Sequence, residues 1–183
     1  MKILAVMGSA RKNGNGALLT RAVCEEAIRL GAEVEYVHLY DLNFKSCGNC
    51  DTVSADPYWC DKADDLVPVM QKLIEADVLL WTAPIYMGYI CGTSKTFFDR
   101  FCIFVNPDFS INRIPGKKVA LIITSGAPGG AYQKVLDSLS GMFSDFFKME
   151  VAGSILAGGF MKPEPELTPE LLAQAKELAA KLA

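Results

Sequence analysis

The sequence predicts an α/β fold: a three-layer open sheet of five parallel strands with helices on both faces. Three observations carry this. Short apolar runs alternate with segments of helical period along the 183 residues. The central runs are apolar at nearly every position, as strands buried on both faces require. Polar, glycine-rich loops follow the first, third and fourth runs, where a parallel sheet presents its carboxyl edge.

The first unit sets the pattern. Residues 3–7 are a strand, residues 8–16 a loop and residues 16–30 a helix. Leu19, Val23 and Ile28 mark the helix's core face, with Leu18, Ala22 and Ala27 alongside, and Gly31 ends it. Strand two is 34–39; its alternation puts Val34, Tyr36 and His38 on one side and Glu35, Val37 and Leu39 on the other. His38 is the only histidine, a poor basis for a metal or catalytic centre.

Residues 41–68 are long for a strand-to-helix connection. A helix is expected over 65–76, with Pro68 confined to its opening turn, and a third strand over 78–82. An edge loop, 84–92, leads into helical spacing over 93–104 and an exposed connection over 105–117. Strand four is 119–124, followed by a third loop, 125–130, and a helix over 131–146 that Gly141 weakens. Strand five is 148–154, ending near Ile155 or Leu156. The last helix spans 168–182, with Thr168 as cap and Pro169 in the first turn.

Length favours one domain, 1–183, carrying a cysteine-containing insertion around 43–64. Apolar residues make up 51% of the chain, which excludes a disordered one. The net charge of −3, from 18 basic and 21 acidic residues, argues against a nucleic-acid partner. No apolar run reaches membrane-spanning length, and the first residues are a core strand without a signal-peptide layout. A cytoplasmic protein is expected.

The chemistry is expected at the loops. The first, Gly8 to Gly16, combines small polar residues with two cations, Arg11 and Lys12, at the start of a helix. Backbone N–H groups there favour a phosphate. A plain strand-to-helix loop is the alternative. Walker A spacing fails, because five residues separate Gly8 and Gly14 and Asn15 follows. The dinucleotide pattern starting at Gly14 and Gly16 fails at Leu19. A terminal monophosphate fits better than a pyrophosphate. In the strand order 2-1-3-4-5 this loop converges with the other two where the connections reverse direction. A flat, polar-edged ring system bearing one phosphate suits the three together.

Four motifs resemble the NADPH-dependent FMN reductase family, including its iron–sulfur flavoprotein branch. They are Gly8-Ser9-Ala10-Arg11-Lys12-Asn13-Gly14-Asn15-Gly16, Ala83-Pro84-Ile85-Tyr86-Met87-Gly88, Lys95-Thr96-Phe97-Phe98-Asp99-Arg100, and Ser125-Gly126-Ala127-Pro128-Gly129-Gly130. The resemblance implies a flavodoxin-like fold. It implies an FMN phosphate surrounded by Ser9, Arg11, Asn13, Asn15, Gly16 and Ala17, with Gly16 in place of the family's usual threonine. Pro84, Ile85, Tyr86, Met87 and Gly88 are then expected to line the isoalloxazine, and Ser125, Gly126, Ala127, Gly129 and Gly130 to contact it from the other side.

The implied activity is hydride transfer from NADH or NADPH to FMN, then electron delivery to a flavin, quinone or other small acceptor, in a homodimer or homotetramer. No side chain need act as nucleophile. Cys47, Cys50 and Cys60 resemble the compact iron–sulfur pattern, but Val53 stands at the third ligand position, so a stable four-iron cluster is not expected. No metal site is assigned. The cysteines' alternatives, another metal, free thiols or a reversible pair, stay open. Two other functions compete: a flavodoxin-like or iron–sulfur electron carrier, and a thiol-based redox-sensing or metal-binding interaction protein.

Overall fold

The structure is a computed structural model that describes residues 1–48, 60, 64–161 and 165–183. Five parallel strands, β1 (Lys2–Met7), β2 (Glu33–His38), β3 (Val78–Tyr86), β5 (Lys118–Thr124) and β6 (Glu150–Ala157), lie in the order β2-β1-β3-β5-β6. This is the doubly wound order expected. A two-residue strand, β4 (Tyr89–Ile90), pairs antiparallel with the end of β3. Helices α1 (Asn15–Arg29) and α5 (Pro169–Leu182) cover one face. Helices α2 (Leu66–Glu75), α3 (Gly92–Asp99) and α4 (Gln133–Gly141) belong to the other.

The two faces are packed differently. Leu19, Val23, Ala175 and Leu178 fill the α1/α5 face with aliphatic side chains against Ile3, Ala5 and Ile122. The opposite face is aromatic: Trp81 lies 5.6 Å from Phe98 in a stacked arrangement and 6.0 Å from Phe143 edge-on. Phe101 meets Phe97 at 5.4 Å and Phe147 at the same distance, both edge-to-face. Such ring pairs add about 0.5–1.5 kcal/mol each beyond their area burial.

The boundaries differ from expectation for local reasons. Ile28 is exposed, because the buried stripe of α1 runs Leu19, Val23, Ala27 at four-residue spacing. Strand β3 continues four residues beyond Thr82, through Pro84. Pro84 stands at the last β3–β5 pair, opposite Thr124, so its missing N–H ends a ladder rather than interrupting one. Helix α4 stops at Gly141 and continues to Phe146 as a single π-helical turn. The last helix starts as expected: Thr168 Oγ1 accepts from the Leu171 N–H at 3.3 Å, with Pro169 at the first helical position. No helix among the described residues is long and apolar enough to cross a membrane. Most of the expected insertion around 43–64, including Cys50 and Val53, lies outside the described residues.

Candidate functional site

The site begins where β1 hands the chain to α1. Gly8 N–H donates to Thr82 O on β3 at 2.8 Å, and Cys91 Sγ donates to Gly8 O at 3.1 Å. A Cβ on Gly8 would fall 1.8 Å from Ser94 Oγ, so only glycine lets the loop sit this low on the sheet. The loop ends at Gly14, which has no side chain to cap α1. The N–H groups of Asn15, Gly16 and Ala17 are therefore first-turn donors without a helical acceptor, at the positive end of the helix dipole. Beneath them Thr20 Oγ1 donates to Gly16 O at 2.8 Å and shares a short hydrogen bond with Thr82 Oγ1. A Cβ on Gly16 would stand 3.0 Å from Thr82 Cγ2, a tight contact.

The loop's two cations have different positions. Lys12 Nζ pairs with Asp41 at 2.5 Å. Arg11 makes no ion pair among the described residues, and it lines the cleft. Ser9 Oγ accepts the Arg11 N–H at 3.1 Å and so shapes the turn that presents it. Behind the loop, His38 is nearly buried, with Nδ1 4.0 Å from Asp41 Oδ1. Burial lowers its pKa from the ordinary imidazole value; Lys12 pushes the same way, and Asp41 and the Ser9 backbone oppose it.

Together these residues form one wall of a cleft of about 250 Å³. Ser9, Arg11, Asn15 and Gly16 supply that wall, Pro84, Ile85 and Tyr86 the second, and Ser125 and Gly126 the third. All nine were singled out from the sequence. Gly14, Thr124, Phe160 and Pro165 also line it and were missed. Phe160 arrives because residues after β6 zip onto the third loop: Phe160 N–H donates to Ser125 O at 3.2 Å and Gly159 N–H to Ala127 O at 2.6 Å. Glycine at 158 signals this contact, since a Cβ there would lie 2.4 Å from Ala127 O.

Seven expected residues do not line the cleft. Asn13 turns away to accept from Arg21 Nη2 at 3.3 Å. Ala17 is buried in the first turn of α1. Met87 and Gly88 form the tip of a two-residue hairpin between β3 and β4, both at positive φ (49° and 88°), with Met87 fully exposed. Ala127, Gly129 and Gly130 lie beyond the part of the loop that lines the wall, and Ala127 is spent on Gly159. At the rim, Tyr86 is half-exposed. Its phenol is pushed up by burial and by neighbouring Cys91 and Tyr40, against a smaller opposing effect of Arg11.

A second cluster lies under the β2–α2 connection. Arg100, fully buried, holds Asp64 through hydrogen bonds of 2.7 and 3.1 Å, donates to Lys45 O at 3.2 Å and reaches Cys60 Sγ at 3.1 Å. Burial alone would raise the Asp64 pKa, but the Arg100 hydrogen bonds and charge override it and hold the carboxyl below its ordinary value. No group of three or more metal-ligating side chains is present among the described residues.

Comparison with known proteins agrees with this geometry. Residues 1–161 match the family model of NADPH-dependent FMN reductases. An iron–sulfur flavoprotein of Archaeoglobus fulgidus is 32% identical over 139 residues, 76% of this chain; the chain spans 66% of that relative's length. One from Methanosarcina thermophila is 28% identical over 161 residues, covering 86% of this chain and 78% of the relative. The solved NAD(P)H:quinone oxidoreductase from Methanothermobacter marburgensis superposes with a TM-score of 0.73 at 16% identity, covering 100% of this chain and 99% of that one. A glycine-seated loop, the free start of α1 and a match over nearly nine-tenths of the sequence lead to one conclusion: the chain belongs to the NADPH-dependent FMN reductase family.

Proposed function

We propose that this protein is an FMN-dependent NAD(P)H oxidoreductase that delivers electrons to a flavin, a quinone or another small acceptor. One observation carries the reading: the Arg11 guanidinium, without an ion pair among the described residues, shares a cleft with the first turn of α1, which no side chain caps. That donor set fits a phosphate monoester, which can take up both the helix N–H groups and the cation. Asn15, Gly16 and Arg11 would hold the phosphate. Pro84, Ile85 and Tyr86 would face the ring system from one side, and Ser125 and Gly126, which carry no large side chain, from the other. Bound FMN supplies the chemistry of accepting a hydride and returning an electron pair. The protein's own part is to bind and orient, and no side chain is assigned a nucleophilic role.

The family supports NADPH or NADH as donor, and the quinone oxidoreductase among the structural neighbours supports a small acceptor. The adjacent exposed apolar residues Tyr86, Met87 and Tyr89 at the hairpin suit contact with a second copy, in a homodimer or homotetramer. The described cysteines are all free thiols, which suits the cytoplasm. Anaerobic stopped-flow mixing of the FMN-loaded protein with NADH and with NADPH tests the reading. Saturable bleaching of the flavin band with either donor is expected. Bleaching no faster than free FMN, with full occupancy and rapid reoxidation after chemical reduction, makes the protein an electron carrier instead.

A further inference from the structure

The five described cysteines fall into distinct settings. Cys24 is buried in α1, and burial pushes its thiol up to about 12, so it is inert. Cys91 is buried and spent on Gly8 O and Ser94 Oγ. Cys60 is held by Arg100. Cys47 and Cys102 remain, and they are neighbours across 55 positions of sequence: the Cys47 side chain acts on the Cys102 thiol.

Their meeting is built, not incidental. Arg100 Nη1 donates to Lys45 O at 3.2 Å, and the Lys45 N–H donates to Asp64 Oδ2 at 3.2 Å. Asp64 is itself gripped by Arg100. Lys45, two places before Cys47, is thus held by Arg100, which opens the 3₁₀ turn Arg100–Phe104 and stands two places before Cys102. Cys47 is half-buried and Cys102 exposed, so a small oxidant has access to the pair.

We infer that Cys47 and Cys102 are a reversible dithiol–disulfide pair that clasps the β2–α2 connection to the turn after α3. The oxidant is a small-molecule disulfide. One thiolate of the pair attacks its sulfur and expels the first small thiol, leaving a mixed disulfide; the second displaces the other small thiol. Two S–H bonds and one S–S bond break. One S–S bond forms in the protein, and the electron pair and both protons leave on two small thiols. A reducing dithiol reverses the exchange. Burial and the neighbouring Cys47 raise the Cys102 thiol above its ordinary value, so exchange through that sulfur quickens as pH rises. The clasped segment also carries Tyr40, which acts electrostatically on Tyr86 at the rim of the cleft. The inference does not rest on the flavin reading.

The test incubates the purified full-length protein with oxidised glutathione, blocks residual thiols and maps tryptic peptides without reduction. A linked pair of peptides 46–62 and 101–113 is expected, with fragmentation placing the bond at Cys47 and Cys102. The link should persist in a Cys50→Ser/Cys60→Ser variant, vanish in Cys47→Ser and form faster at higher pH. Cys102 carrying only glutathione, or a bond from Cys102 to Cys50 or Cys60 in the unmodified chain, overturns the inference. The wild-type map decides this even if a variant folds poorly.

Discussion

Asn15 Oδ1 accepts a 2.7 Å hydrogen bond from the Glu166 backbone N–H, joining the first residue of α1 to the segment before α5 across 151 positions. The bond seats Pro165 at the cleft, so Asn15 shapes the cleft from both sides. Asn15→Ala should therefore speed amide hydrogen exchange at Glu166 and weaken FMN binding severalfold. Its stability cost should stay near 1 kcal/mol, the net value of one such bond. Unchanged exchange at Glu166 removes the tether from the account.

Arg11 and Lys12 can be separated by the same binding experiment. Arg11→Ala should weaken FMN binding by roughly 10- to 100-fold, the loss of a charge-assisted hydrogen bond of about 1.5–3 kcal/mol. Lys12→Ala should do less, because Lys12 is already paired with Asp41. Riboflavin, which lacks the phosphate, is the control: its affinity should be the same for wild type and Arg11→Ala.

Gly8→Ala should destabilise the protein by about 1–3 kcal/mol through overpacking. The clash is with Ser94 Oγ, so Ser94→Ala should restore part of the loss. A double-mutant cycle by urea unfolding reads the coupling. A cycle that closes to zero means that the loop does not sit on α3 as described.

His38 makes stability depend on pH. Its folded-state pKa lies below the ordinary 6.5, so below that value the unfolded chain binds more protons than the folded one. Stability should fall as pH drops through 6.5 toward the depressed folded value, and the urea midpoint of a His38→Gln variant should fall less over the same range. Equal slopes for both proteins assign the pH dependence to other groups.

Met87 at φ 49° bears a left-handed backbone that an unbranched side chain adopts at some cost. Met87→Asn, which gives the Asn-Gly pair this hairpin favours, should stabilise the protein by roughly 0.5–1 kcal/mol in thermal unfolding. If Met87 packs against a second copy, the same substitution lowers the assembled fraction in light scattering.

The parallel sheet was legible because strands buried on both faces leave nearly continuous apolar runs, and α5 because Thr168 and Pro169 announce its start. The three cleft walls were legible as loops that follow strands at the carboxyl edge of a parallel sheet. What escaped notice was non-local. Nothing around Phe160 says that its N–H will find Ser125 O, and nothing around Pro165 says that Asn15 will tether its neighbour. Arg100 was read as part of a helix motif, while its burial with Asp64, Lys45 and Cys60 depends on partners 36 to 55 positions away. Cys102 went unpaired in the sequence for the same reason.

Trp81 gives the molecule an optical gauge of its own. The indole is fully buried in the aromatic layer, on the same strand as Pro84 and three positions before it. The only other tryptophan is Trp59, outside the described residues, so a Trp59→Phe protein emits from Trp81 alone. A buried indole shielded from water emits toward the blue, and a flavin seated at the end of that strand absorbs where it emits. Filling of the cleft thus becomes visible as dimming of Trp81, with no label attached, and unfolding as a shift of its emission to the red.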